Sequence, residues 1–117
     1  MFVTVAETVA FLKRREAAAQ AGLSALRDER RARLAHAAAC LREPHGATKV
    51  WLFGSLAWGK TRADSDVDLA VEGLSAGEYW RSLAELSDLF GCNVDLVRIE
   101  TADAGLRERI LREGLPL

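Results

Sequence analysis

The sequence predicts an α/β (α+β) fold: a small mixed sheet with flanking helices, preceded by a long N-terminal helical segment. Three observations predict it. Apolar residues recur at helical 3–4 spacing across residues 4–43, short apolar runs replace that pattern from Val50 onward, and an amphipathic stretch separates the second run from the third. With 117 residues, 50% hydrophobic and 28% charged, and only 9 Gly and 2 Pro, the chain reads as one ordinary globular domain rather than a disordered or fibrous one. At this size roughly two-thirds of the unfolded surface is buried, which is enough for one core. The expectation is a single domain over 1–117, with 1–46 as a helical extension and 47–117 as the core that carries the chemistry.

The elements follow in order. Val5, Val9, Leu12, Ala19, Leu23, Leu26, Leu34, Ala37 and Leu41 trace one helical stripe, but the same lattice lands on Glu16 and Arg30. Gly22 weakens the middle by ~1 kcal/mol relative to Ala. The segment therefore predicts one long kinked helix or two in series, ended by Pro44 and Gly46. Val50-Trp51-Leu52-Phe53, Val67-Asp68-Leu69-Ala70-Val71 and Val94-Asp95-Leu96-Val97 are strand candidates. Ser75 and Glu78 have capping-box spacing at the start of a helix whose stripe is Tyr79, Leu83, Leu86 and Phe90. A crossover helix there makes the flanking strands parallel, or joins them across a gap. Thr101 to Glu113 reads as a last helix, stopped by Gly114 and Pro116.

The net charge of −1 offers no global attraction for nucleic acid or an anionic membrane. The halves differ: up to Ala47 there are eight Lys and Arg against five acids, and from Thr48 eight against twelve. A divalent-cation site is therefore expected in the second half. Cys40 and Cys92 lack framework spacing, no run approaches the ~20 apolar residues that span a bilayer, and no cleavage-site pattern follows an apolar run near the start. These features lead to the expectation of a cytoplasmic protein without a membrane segment.

Asp66 and Asp68 stand two apart, so on a strand both leave the same face while Val67 and Leu69 enter the core; Asp95 is placed likewise between Val94 and Leu96. If the strands are neighbours, three carboxylates converge where their repulsion calls for cations. An all-oxygen set of this kind suits Mg²⁺, whose shell is completed by water and substrate phosphates. A solvated strand end is the bland alternative. Gly54-Ser55 follows the first strand directly, where a missing Cβ lets backbone N–H groups approach a phosphate and a hydroxyl donate to it, although such a pair is also an ordinary turn.

Gly54-Ser55, then ten residues, then Asp66-x-Asp68 preceded by Ser65 and followed by Leu69, resembles the signature of the DNA polymerase β-like nucleotidyltransferase superfamily. Asp95 looks like that superfamily's third carboxylate. The match runs from about Lys49 to Leu117, and the short chain resembles the minimal nucleotidyltransferases (MNT) that pair with HEPN toxins in prokaryotic toxin–antitoxin systems. The resemblance implies a nucleotidyltransferase fold and transfer of AMP from ATP onto a hydroxyl of the HEPN toxin, tyrosine being the expected acceptor. It implies two Mg²⁺ held by Asp66 and Asp68, with Asp95 helping to bind one and to activate the acceptor, and Gly54, Ser55, Lys60 and Arg62 at the nucleotide. Two cations roughly 4 Å apart can clamp the attacking and leaving oxygens of an in-line displacement. One departure stands out: Trp58 occupies the position before the second Gly where relatives commonly carry Arg.

Competing patterns are weaker. Gly54-Ser-Leu-Ala-Trp-Gly59-Lys60-Thr61 satisfies the P-loop formula, but Arg62 to Asp66 is too polar to open the helix that formula needs. Asp64, Asp66 and Asp68 imitate an EF-hand, but Leu69 and Ser75 stand where its Gly and Glu belong. Lys13-Arg14-Arg15 and Arg27 to Arg33 alternate with Glu16, Asp28 and Glu29, which marks a solvated helix face. His36, Cys40 and His45 are too few and irregular for a metal and are read as structural. Trp51 and Phe53 belong to the core, while Trp58 and Trp80 are candidate interface anchors. Assembly as a homo- or hetero-oligomer fits either of two roles: an enzyme acting on its partner, or the same fold masking the partner sterically without catalysis. Small-molecule modification is disfavoured, since no acceptor-binding second domain is evident.

Overall fold

The computed structural model describes residues 3–58 and 66–117. Helix α1 (Val5–Ala32) and helix α2 (Leu34–Arg42) lead into strand β1 (Lys49–Phe53), a short helix α3 (Gly54–Trp58) and strand β2 (Val67–Glu72). Helix α4 (Ala76–Phe90), strand β3 (Val94–Arg98), helix α5 (Ala104–Glu113) and a short strand β4 (Leu115–Pro116) complete the chain. The fold class is the expected one, a four-stranded mixed sheet with flanking helices.

The N-terminal segment resolves as two helices in series. Thr4 caps the first, its Oγ1 accepting from Glu7 N at 3.1 Å, and the break falls at Arg33 rather than at Gly22, which remains helical. Their surroundings differ. Leu34, Ala37, Ala38 and Leu41 of α2 are buried, whereas Arg30 is the one buried residue in the 28 of α1. The molecule accordingly measures 66 × 29 × 18 Å, with a radius of gyration of 18.4 Å against the ~13 Å of a compact chain this long.

The strands run in the order β3-β2-β1-β4. β1 and β2 are antiparallel, while β2 and β3, joined through α4, are parallel, as a crossover helix requires. The helix starts where its cap spacing indicated, with Ser75 Oγ accepting from Glu78 N at 3.3 Å. The carboxylate of Glu78 turns to His45 instead of closing the box, with Nδ1 to Oε2 at 2.6 Å. α5 begins at Ala104 under an Asp103 cap, three residues later than expected, because Thr101 and Ala102 still turn back onto the carbonyl of Arg98. Pro116 does more than stop that helix: Leu115 and Pro116 pair with Leu52 and Trp51, at a sheet edge where a missing N–H costs no ladder bond.

Alternation along β1 sorts the core into two layers. Val50 and Leu52 join Val67, Leu69, Val71 and Leu96 on the face covered by α2 and α4. Trp51 and Phe53 join Ala70, Ile99 and Ile110 on the face covered by α5. Both expected core aromatics are thus buried. Among the described residues, no helix is long and apolar enough to cross a membrane.

Candidate active site

Strand register brings two of the acids together. In β2 the buried residues Val67 and Leu69 flank Asp68, which leaves the opposite face together with Ala70, on the α5 side of the sheet. Asp68 is the Cα partner of Asp95 in parallel β3 and of Phe53 in antiparallel β1. Asp95 is exposed and shares its face with Val97, which packs into the α5 layer, and Asp66 is exposed immediately before β2. Asp68 is half-buried. Burial, then the charge of Asp95, then that of Asp66, push its carboxyl from 3.8 up to about 6.

Gly54 is the residue that lets this carboxylate in. Its φ of +73° is one that L side chains seldom adopt, and a Cβ there would lie 2.0 Å from Asp68 Oδ2 and 2.7 Å from Cγ. The sequence assigned this glycine to a phosphate; what the structure shows is that it makes room for Asp68. Ser55 follows it at the head of α3, partly exposed, next to the strand end whose last residue, Phe53, neighbours Asp68. Gly54 to Trp58 is already helical and β1 runs antiparallel to β2, neither of which suits a P-loop. Lys60 and Arg62 lie outside the described residues.

The three acids fit Mg²⁺ by donor chemistry: oxygen only, anionic, and carrying an electrostatic cost at Asp68 that a cation would relieve. Among the described residues no three His, Cys, Asp or Glu side chains form a ready ligand cage. Mg²⁺ does not demand one, since it takes one or two carboxylates and fills its shell with water and phosphate.

Trp58 closes α3 on the same face. Its Nε1 donates to the carbonyl of Glu113 at 3.3 Å, and the guanidinium of Arg109 lies 4.1 Å from the ring centroid. α5 thus sets a cation against Trp58, the residue that stands where the resemblance leads one to expect an arginine. No sequence signal marked Arg109, which sits among alternating charges on an amphipathic helix. His45 is held structurally, both ring nitrogens meeting carboxylates, with Glu85 on Nε2 at 2.8 Å and Glu78 on Nδ1. Trp80 is 72% exposed on a cavity of about 330 Å³, lined also by Tyr79, Leu96 and Arg98, toward the opposite end of β3 from Asp95.

Residues 38–117 match the family model for polymerase β nucleotidyltransferases, and the chain belongs to that family. Within it the chain is similar to minimal nucleotidyltransferases and to MNT proteins solved as antitoxins in complex with HEPN toxins. It is 37% identical over 76 residues to the protein adenylyltransferase MntA of Thermococcus cleftensis, an alignment spanning 62% of this chain and 77% of that one. A solved structure described as a minimal nucleotidyltransferase is 38% identical, with a TM-score of 0.61 over 81% of this chain and 95% of that one. An MNT antitoxin in complex with the tri-AMPylated HEPN toxin of Shewanella oneidensis is 25% identical, with a TM-score of 0.52 over 68% and 63% of the two chains.

Proposed function

We propose that this protein transfers AMP from ATP onto a tyrosine hydroxyl of a cognate HEPN toxin and so acts as its antitoxin in the cytoplasm. The pairing of Asp68 with Asp95 on one sheet face, with Asp68 seated against Gly54, carries this reading. The toxin-modifying activity is drawn from the relatives, one named a protein adenylyltransferase and one bound to an AMPylated toxin.

In this reading Asp66, Asp68 and Asp95 hold two Mg²⁺, which supply charge neutralisation for the triphosphate and the developing oxyanions. Gly54 and Ser55 cradle phosphate oxygens at the start of α3, with Lys60 and Arg62 assigned to the nucleotide on the resemblance alone. The acceptor oxygen forms a bond to the α-phosphorus as the bond to the β-phosphate oxygen breaks, and pyrophosphate leaves. Asp95, exposed at the sheet edge, takes the hydroxyl proton. Positioning supplies most of the remaining rate. The chain works as a single domain in which residues 47–117 perform the transfer and 1–46 are an accessory helical extension, with no direct role for nucleic acid.

Trp58 favours a second reading, in which the fold persists and the partner is neutralised by binding and steric masking alone. Asp66→Asn separates the two. If transfer is the function, the variant still forms the complex but no longer neutralises the toxin, and the intact mass of the toxin after incubation with ATP and Mg²⁺ shows no added AMP. Undiminished neutralisation by the variant would establish masking.

A further inference from the structure

The first five turns of α1 are exposed throughout, and further along Leu23 and Leu26 are only partly covered. Val5, Val9, Phe11 and Leu12 are 80%, 42%, 52% and 54% exposed on a helix of 28 residues, about 42 Å long. A helix in water without tertiary contacts is marginal, and an apolar stripe this open is a surface that lacks its partner.

The spacing of the stripe indicates what kind of partner fits. Val5, Val9, Leu12, Glu16, Ala19, Leu23 and Leu26 are separated by alternating steps of four and three, without a slip, over three heptads. A face meant for a broad groove follows the 3.6-residue helix and is wider; a strict 3.5-residue stripe is the narrow seam of a coiled coil, so the occupant is another helix. Arg30, the next lattice position, is already buried within its own chain, so the seam ends where the head begins.

We propose that α1 pairs with α1 of a second copy of this chain as an antiparallel coiled coil. The polar layer selects the direction. Parallel strands in register put Glu16 beside Glu16, two carboxylates in one core layer, which is costly without a compensating cation. Running the copies antiparallel with full overlap places Val9 against Leu26, Leu12 against Leu23, and Glu16 against Ala19, whose methyl leaves the carboxylate room to reach water. The flanking positions agree. In that register Lys13 meets Gln20, Arg15 meets Gly22, Thr8 meets Glu29 and Ala6 meets Arg27, so no like charges oppose. The two heads then lie at opposite ends, leaving both carboxylate faces open. This assembly is independent of the transferase reading and stands or falls without it.

Sedimentation equilibrium of the purified chain at micromolar concentration tests the assembly. The wild type is expected at twice the chain mass, and Leu12→Asp at the chain mass with the melting of the head unchanged. Phe11→Asp, equally exposed but off the seam, is expected to stay dimeric. In a Cys40→Ser, Cys92→Ser background, Leu12→Cys combined with Leu23→Cys is expected to cross-link covalently on mild oxidation, and Leu12→Cys alone to cross-link poorly. A monomeric wild type would overturn the proposal, including one whose α1 is covered only when a toxin partner is added. So would efficient cross-linking through Leu12→Cys alone, or equal dissociation by the two aspartate variants.

Discussion

Helix α1 and strand β2 are held by opposite means. The 28 residues of α1 keep their shape through a Thr4 cap, backbone hydrogen bonds and exposed ion pairs such as Arg27–Asp28 and Glu29–Arg33, with Arg30 alone buried. The six residues of β2 bury Val67, Leu69, Ala70 and Val71 while exposing part of Asp68 and Glu72. Burial fixes the strand so firmly that it can hold Asp68 in a half-buried position that raises its pKa to about 6, a conformation the strand would not choose for its own stability. A site that needs converging charges is therefore built on the well-packed part of the molecule, and the exposed helix is left for association.

Substitutions should reproduce that asymmetry. Leu69 is fully buried in the layer covered by α2 and α4, and Leu69→Ala should cost about 2–5 kcal/mol in denaturant unfolding. Aspartate at Leu12, by contrast, should leave the head's unfolding free energy unchanged while altering assembly. A smaller effect is expected at His45, whose side chain is 5% exposed between Glu78 and Glu85 and ties the turn after α2 to α4. Hydrogen bonds from Glu85 and then Glu78 raise its pKa above 6.5, burial opposing them. Since the folded value lies above the unfolded one, the stabilisation is complete below about pH 6.5 and fades as pH rises through the raised value. The melting temperature should fall over that interval in the wild type, and His45→Gln should flatten the slope.

Much of this was legible in the sequence, for physical reasons that differ by element. The strands and α4 declared themselves because burial writes short apolar runs and a 3.6-residue stripe, and Asp68 and Asp95 stood out as charges inside those runs, with Asp66 just ahead of one. Pairing of Asp68 with Asp95 followed once α4 made β2 and β3 parallel. What escaped was set by tertiary contact. β4 is two residues long and contains Pro116, so it carries no periodicity and forms only because β1 offers an open edge. Arg109 over Trp58 and the two carboxylates on His45 join residues 51, 33 and 40 positions apart, and local pattern cannot register such contacts. Gly54 was assigned to a phosphate from its place after β1, and the group it makes room for within the chain, Asp68 Oδ2, emerged only with the fold.

Whether the carboxylates around Asp68 hold Mg²⁺ beside a triphosphate is decided by thermal melting of the wild type and Asp68→Asn, with and without Mg²⁺ plus a non-hydrolysable ATP analogue. Removing the strained charge should make the variant melt higher than the wild type without ligands, while Mg²⁺ and the analogue together should stabilise the wild type and leave the variant where it was. Equal stabilisation of both proteins by the metal and nucleotide would mean that Asp68 holds no Mg²⁺ there.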